Sequence, residues 1–225
     1  MNIIAGVAKD GWRRPIYFAN GIYPIGLQNY FQSEGLLNKV VPALRPSAVQ
    51  GLPIMTNLDK NIELITKKFT LGGASGKNIY YDEKNKVMFI PYLLAAVDLA
   101  NNLSFAERKA DAIKVLDHIL TQISETSYPY EMVIGYDRGS IPRIIDAYYR
   151  AGAQDKARAL GNKMSKNLAD LGRYYNDLSP NVKDGMVQVM YFSISNFAQA
   201  ANSASQFNDT EMADKWFNEV EAIGA

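Results

Sequence analysis

The sequence predicts a mainly α-helical protein, with a small α+β N-terminal part followed by three antiparallel helix pairs stacked as an array. Three observations carry this. Proline, glycine and short apolar runs dominate up to about residue 80. After that point apolar residues recur at three- and four-residue steps. Finally, Ala151-Gly152 closes one helical pattern just before the charged pair Asp155-Lys156 opens another.

In the N-terminal part, residues 1–80, Ile3 to Lys9 reads as one or two helical turns closed by Asp10-Gly11. Pro15 to Ala19 is β-branched and aromatic and reads as a short strand. Leu27 to Ser33 has a weak helical pattern stopped by Gly35, and Leu36 to Val41 reads as a second strand stopped by Pro42. Asn57 to Lys68 is a better helix, with Leu58, Ile62 and Ile65 along one face.

The pattern over 81–225 is helical throughout. Ser104 to Glu107 has capping-box form, in which serine and glutamate each satisfy an orphan amide at a helix start. Behind it Ala106, Ala110, Ile113, Leu116, Leu120 and Ile123 make one apolar stripe. Ser140 precedes a helix that tolerates Pro142 in its first turn, and the next begins near Gln154. Ser179-Pro180 breaks the chain before a long helix from about Asp184 to Ser205. Asn208 with Glu211 repeats the capping-box spacing before a last helix to about Ala222. The helix pairs fall at roughly 85–123, 140–177 and 184–222. Ala147 to Gly152 followed by Asp155-Lys156-Ala157 resembles the turn of a tetratricopeptide repeat, and Leu103 to Ala112 echoes its second half. The spacing is about forty to fifty residues instead of 34, so the repeats are degenerate; an unrelated helical bundle using the same caps stays open.

Composition narrows the function. Twenty-four basic residues against 23 acidic ones leave a net charge of +1, without the basic excess that phosphate neutralisation asks for, so no nucleic-acid partner is expected. The absence of cysteine excludes disulfides, thiolate metal sites and a cysteine nucleophile. With His118 the single histidine, a multi-histidine metal site is excluded too. No cofactor is expected. The first twenty residues reverse the charge order of a signal peptide. The longest apolar run, Val87 to Ala100, is interrupted by Pro91 and Asp98 and falls short of the roughly 20 residues a bilayer needs.

Candidate chemistry is sparse. Gly72 to Lys77 approaches a phosphate-binding loop, but a spacer is one residue short, Asn78 replaces the hydroxyl and the segment follows a helix, so it reads as a helix-terminating loop. Asp117 and His118 are adjacent, which on a helix points them about 100° apart. Asp82, Glu83, Glu125, Glu131, Asp137 and Asp146 supply carboxylates, which fit helix N-termini and solvated faces. The tyrosines are the best hint of a binding surface: Tyr128, Tyr130 and Tyr136 cluster in one connection, while Tyr148-Tyr149 and Tyr174-Tyr175 are tandem. Tyrosine suits sugar stacking and peptide recognition, but also packing with the hydroxyl at the rim. Trp12-Arg13-Arg14 reads either as an anionic or headgroup-level anchor or as a packed tryptophan beside solvated arginines. The candidate binding residues are therefore Tyr128, Tyr130, Tyr136, Tyr148, Tyr149, Trp12 and Arg14.

Trp12 to Ala19, reading WRRPIYFA, resembles the W-[KR]-R-P-I-Y-F-A segment of a family found especially in Bacteroidetes and labelled domain of unknown function 2723. Its members resemble protein O-mannosyltransferases. The likeness continues through Gly26-Leu27, Tyr30, Glu34-Gly35-Leu36, Val41-Pro42, Lys68-Phe69, Gly72-Gly73 and Asp82-Glu83 into the helical part. It covers nearly the whole chain, with the specific part in the first forty residues. The resemblance implies the C-terminal soluble region of a membrane glycosyltransferase-like protein, at the periplasmic face, tethered through an N-terminal membrane region. That membrane region would hold the catalytic acidic residues. The expected function is a non-catalytic accessory domain binding a protein or glycan partner on a helical-repeat surface. The alternatives are a carbohydrate-binding module built on the tyrosines and a free-standing carboxylate hydrolase.

Overall fold

The computed structural model describes residues 2–19, 27–42, 55–76, 79–131 and 139–224. It is mainly helical, with a small sheet near the N-terminus. The chain forms two compact units, Met1–Phe69 and Thr70–Ala225. The stretch 70–80, grouped by composition with the N-terminal part, belongs to the helical unit. The carbonyl of buried Ala74 accepts hydrogen bonds from Ser124 N (3.0 Å) and Ser127 Oγ (2.8 Å).

The first unit opens with α1 (Asn2–Lys9) and β1 (Tyr17–Ala19), as the sequence suggests. Leu27 to Ser33 departs from the helical expectation: a 3-10 turn at Gln28–Tyr30 gives way to β2 (Phe31–Glu34). The reason is pairing. Gly35 takes φ +67° and closes a two-residue turn onto β3 (Leu37–Val40), with Phe31 opposite Val40 and Glu34 opposite Leu37. Glycine in the first central position matches the right-handed twist of the strands, and sheet pairing overrides a weak helical pattern. The sheet order is β1-β3-β2-β4, antiparallel except for the short parallel β4 (Met55–Thr56). α2 (Leu58–Glu63) continues as a π-helical turn, Leu64–Lys68, and delivers Ile65 to the core with Phe31 and Val40. Buried Asn61 docks α2 on the hairpin. Its Nδ2 donates to the Ser33 and Asn57 carbonyls (2.8 Å each), and its Oδ1 accepts from Gly35 N.

The second unit is helical-repeat-like. α3 (Glu83–Val87), capped by Asp82, leads into α4 (Ile90–Phe105), and α5 (Lys109–Gln122) returns. Then follow α6 (Ser140–Arg150), α7 (Gln154–Asp177), α8 (Pro180–Gln206) and α9 (Thr210–Gly224). α4 packs on α5, α6 on α7 and α8 on α9. The first helices of the pairs, α4, α6 and α8, also pack on one another in succession. Glu83–Phe105 is long and apolar enough to cross a membrane by length and composition, with mean hydropathy 1.3. Here it serves as a core helix, burying Ile90, Leu93, Ala96, Val97, Leu99, Ala100 and Leu103.

Two helix starts are corrected. Ser104 lies inside α4, where its Oγ donates back to the Ala100 carbonyl (2.9 Å), and Glu107 sits in the following turn. α5 therefore starts later, and its buried stripe is Ala112, Val115, Leu116 and Ile119 leading to Ile123, while Ala106 and Ala110 are exposed. Likewise Asn208 takes φ +60° and Asp209 is the residue whose carbonyl accepts from Ala213 N (2.9 Å), opening α9.

One close helix approach joins α7 to α9. Trp216 is fully buried, lies 6.0 Å from the Phe197 ring and donates from Nε1 to Asn162 Oδ1 (3.1 Å). A Cβ added at Gly161 would clash with the edge of the Trp216 ring. Alanine in place of a helical glycine normally gains about 1 kcal/mol. Here overpacking of about 1–3 kcal/mol reverses the sign, so Gly161→Ala should lower the melting temperature of the helical unit, as read by thermal circular dichroism.

Candidate functional site

Each helix pair closes through the same turn, and this sets the register of the site. Glu107, Gly152 and Asn208 take φ +59°, +78° and +60°. Their N–H groups donate to the carbonyls of Ser104 (3.1 Å), Tyr149 (2.9 Å) and Ser205 (3.1 Å). The next N–H groups, of Arg108, Ala153 and Asp209, reach back to Leu103 (2.8 Å), Tyr148 (2.9 Å) and Ala204 (2.9 Å). This pairing satisfies carbonyls that a helix C-terminus would otherwise leave open. The left-handed residues at 107, 152 and 208 are 45 and 56 positions apart.

Counting back nine positions from each left-handed residue reaches Asp98, Arg143 and Gln199, and counting back six reaches Asn101, Asp146 and Asn202. All six line one open groove of about 540 Å³ across α4, α6 and α8, together with Val97, Pro142, Ser203 and Gln206. The three helices thus present equivalent positions, spaced i, i+3, to one surface. At the start of α6, Gly139 takes φ +129°, and a Cβ there would come within 2.9 Å of Gln199 Oε1.

The groove is polar and mixed in charge. Asp98 is exposed as a residue, yet the protein around its carboxyl strips part of its water and raises it above the usual carboxylate range, while Arg143 pulls the other way. Arg143 is exposed, and among the described residues no carboxylate lies within ion-pairing distance of it. Asp146 pairs with Arg150 (3.0 Å), whose guanidinium lies 5.4 Å from the Phe105 ring and 5.5 Å from that of Phe207. The Asn101 side-chain oxygen is buried with no hydrogen-bond partner among the described residues.

Of the two readings open for the tyrosines, binding surface or packing, four of the five candidates take the packed one. Tyr128, Tyr130, Tyr148 and Tyr149 are all buried. Tyr148 donates to Asp117 Oδ1 (2.9 Å), which Lys156 also holds (3.0 Å). Tyr149 donates to Asp209 Oδ2 (2.8 Å) and stacks on Phe207 at 5.6 Å. Burial, with Glu125 adding to it, pushes the Tyr130 phenol up to about 12. Tyr136 and Asp137 lie outside the described residues. Trp12 and Arg14 belong to the N-terminal unit: Trp12 takes φ +60° and is half-buried, whereas Arg14 is exposed and lies 3.6 Å from Asp10. Within the helical unit, Tyr128, Tyr130, Tyr148 and Tyr149 form no exposed cluster.

The remaining motifs are structural. Asp117 serves Tyr148 and Lys156 and so holds α6 and α7 against α5. Gly72 to Gly76 is a turn held by its Ala74 carbonyl. Glu125 and Glu131 share the Asn167 amide, and burial raises the Glu131 carboxyl above its ordinary range. Among the described residues no three metal-ligating side chains converge. No protein-family model matches the chain, and no curated protein or solved structure is found similar to it.

Asp209 anchors the site's framework. Its carboxylate is 2% exposed and takes Arg158 Nε and Nη2 at 2.8 Å each, besides Tyr149 and Gln154. Arg158 first, then the hydrogen bonds from Tyr149 and Gln154, hold its carboxyl well below the usual range against the cost of burial. A depressed folded value means that its contribution is complete above about pH 4 and is lost as pH falls toward the depressed value. Asp209→Asn should cost about 1–3 kcal/mol at neutral pH. Urea unfolding of the variant should show a shallower loss of stability than wild type between pH 4 and pH 2. Parallel pH curves would sink this assignment.

Proposed function

We propose that this chain is a non-catalytic interaction domain of a larger membrane glycosyltransferase-like protein, and that it holds a protein or glycan partner in the groove across α4, α6 and α8. One observation carries the reading: six polar residues at equivalent positions of the first helices of three successive pairs line a single open surface. Stacked helix pairs build extended binding faces in this way, because each pair buries one side against its neighbours and leaves the same side free. The tetratricopeptide-like turn and the resemblance to the domain of unknown function 2723 family supply the setting, a periplasmic face tethered through a membrane region. Burial of Tyr128, Tyr130, Tyr148 and Tyr149 takes away the support for a sugar site built on those four.

A thermal-shift panel of soluble glycans and extended peptides tests this. A ligand at about 100 times its Kd adds ~2.7 kcal/mol, which for a chain of this size is a shift of roughly 5–10 °C. The triple variant Asp98→Ala/Arg143→Ala/Asn202→Ala changes exposed side chains only, so its unliganded midpoint should stay near that of wild type. It should lose the ligand shift. A shift that survives in the variant moves binding away from this groove, and a flat panel removes the reading.

A further inference from the structure

The groove's register and chemistry say what it selects, and this inference rests on the groove being the binding surface. Axes of packed helices lie about 8–10 Å apart. An extended or polyproline-type chain advances about 3.1–3.4 Å per residue, so it crosses one helix spacing roughly every three residues. A polyproline-type segment also repeats its face every three residues. Laid across α4, α6 and α8, such a segment offers one residue to Asp98 and Asn101, the third after it to Arg143 and Asp146, and the next third to Gln199 and Asn202.

The lining suits a peptide main chain. Asn101, Gln199, Asn202 and Gln206 each carry a donor and an acceptor, the complement of the unpaired N–H and C=O groups of an extended strand. Asn101 has an oxygen without a partner, which a turn of the side chain would bring to a peptide N–H. A sugar-binding face would offer an aromatic ring for stacking, and no aromatic residue is among the lining residues. The charges then set the order. Asp98 and Arg143 feel each other's charge across the groove but form no ion pair among the described residues, Asp146 is neutralised by Arg150, and the third helix offers amides and a serine but no charge.

We propose that the groove takes an extended polypeptide segment bearing a basic and an acidic residue three positions apart, the basic one over Asp98 and the acidic one over Arg143. The third helix grips the main chain and leaves the sequence there free.

Short unstructured peptides, with alanine at the remaining positions so that every main-chain N–H is kept, carry Lys and Glu three positions apart, Glu at both positions, or Gln at both positions, with binding read by fluorescence polarisation on the full chain. The Lys/Glu peptide should bind wild type roughly fivefold tighter than either of the others. Asp98→Lys puts two cations in the groove, so the Glu/Glu peptide should become the tightest ligand. This reversal does not depend on which way the peptide runs, and a merely structural role for Asp98 would not produce it. Asp98 is exposed, and far-ultraviolet circular dichroism checks that the variant is folded. Equal affinities, no binding by any peptide, or an unchanged order in Asp98→Lys would each overturn the proposal. A glycan whose thermal shift is lost in Arg143→Ala, with all three peptides silent, would overturn it while leaving the groove as the binding surface.

Discussion

The buried Asp209 carboxylate is a constraint that three helices of the helical unit must meet together. An unpaired carboxylate in that position would cost several kcal/mol, so the site exists only when Arg158 of α7 and Tyr149 of α6 both reach it. Asp209 also opens α9, which ties three helices to one charge. The tandem partner of Tyr149 repeats the device in the other direction: Tyr148 and Lys156 share Asp117 on α5. One dipeptide at the end of α6 thereby fastens the middle pair to the pair before it and to the pair after it. Each tie joins a phenol and a cation to a carboxylate, so hydrogen bonding and charge neutralisation are met together.

This fastening also decides what α6 can offer to a partner. Ile141, Ile144, Ile145, Tyr148 and Tyr149 are buried at i, i+3, i+4, i+7 and i+8, which uses one broad face of the helix. Arg143, Asp146 and Arg150 fall at i, i+3 and i+7 on what remains. The same three offsets give Asp98, Asn101 and Phe105 on α4, and Gln199, Asn202 and Gln206 on α8. Apart from Phe105 the rows are polar, because the opposite faces have already taken most of the apolar residues. The third row is half structural, since Arg150 packs over Phe105 and, through Phe207, on Tyr149.

Much of the architecture was legible in the sequence, and the misreadings have distinct physical causes. Ala151-Gly152 marked its turn correctly because glycine is the residue that enters left-handed backbone at little cost. The equivalent turns use Glu107 and Asn208, and the capping-box pattern misplaced both by fitting a polar residue to the nearest acidic one three positions on. Leu27 to Ser33 failed for a different reason: its strand exists through pairing with Leu37–Val40, a contact that local periodicity does not contain. The tyrosines were conspicuous by number, yet number does not report burial, and their partners Asp117 and Asp209 lie 31 and 60 residues away in sequence. The groove stayed hidden because Asp98, Arg143 and Gln199 share no residue type. Only the offset from the turn relates them.

That offset, more than the repeat length, is the quantity the fold preserves. The intervals of 45 and 56 residues between left-handed turns differ, so a search for a fixed period passes over the array. The helices around the second interval are the long ones, with α7 at 24 residues and α8 at 27 against 11 for α6 and 15 for α9. Exposed Tyr174, Val182, Val187 and Tyr191 fall where α7 ends and α8 begins, and Lys183 covers the Tyr175 ring at 5.5 Å. Length added at that end lies far along both helices from the turn that closes α8 onto α9. A helix can therefore grow by its N-terminal turns without moving the residues six and nine positions before its C-terminal turn, because each turn fixes register backward along the helix that precedes it.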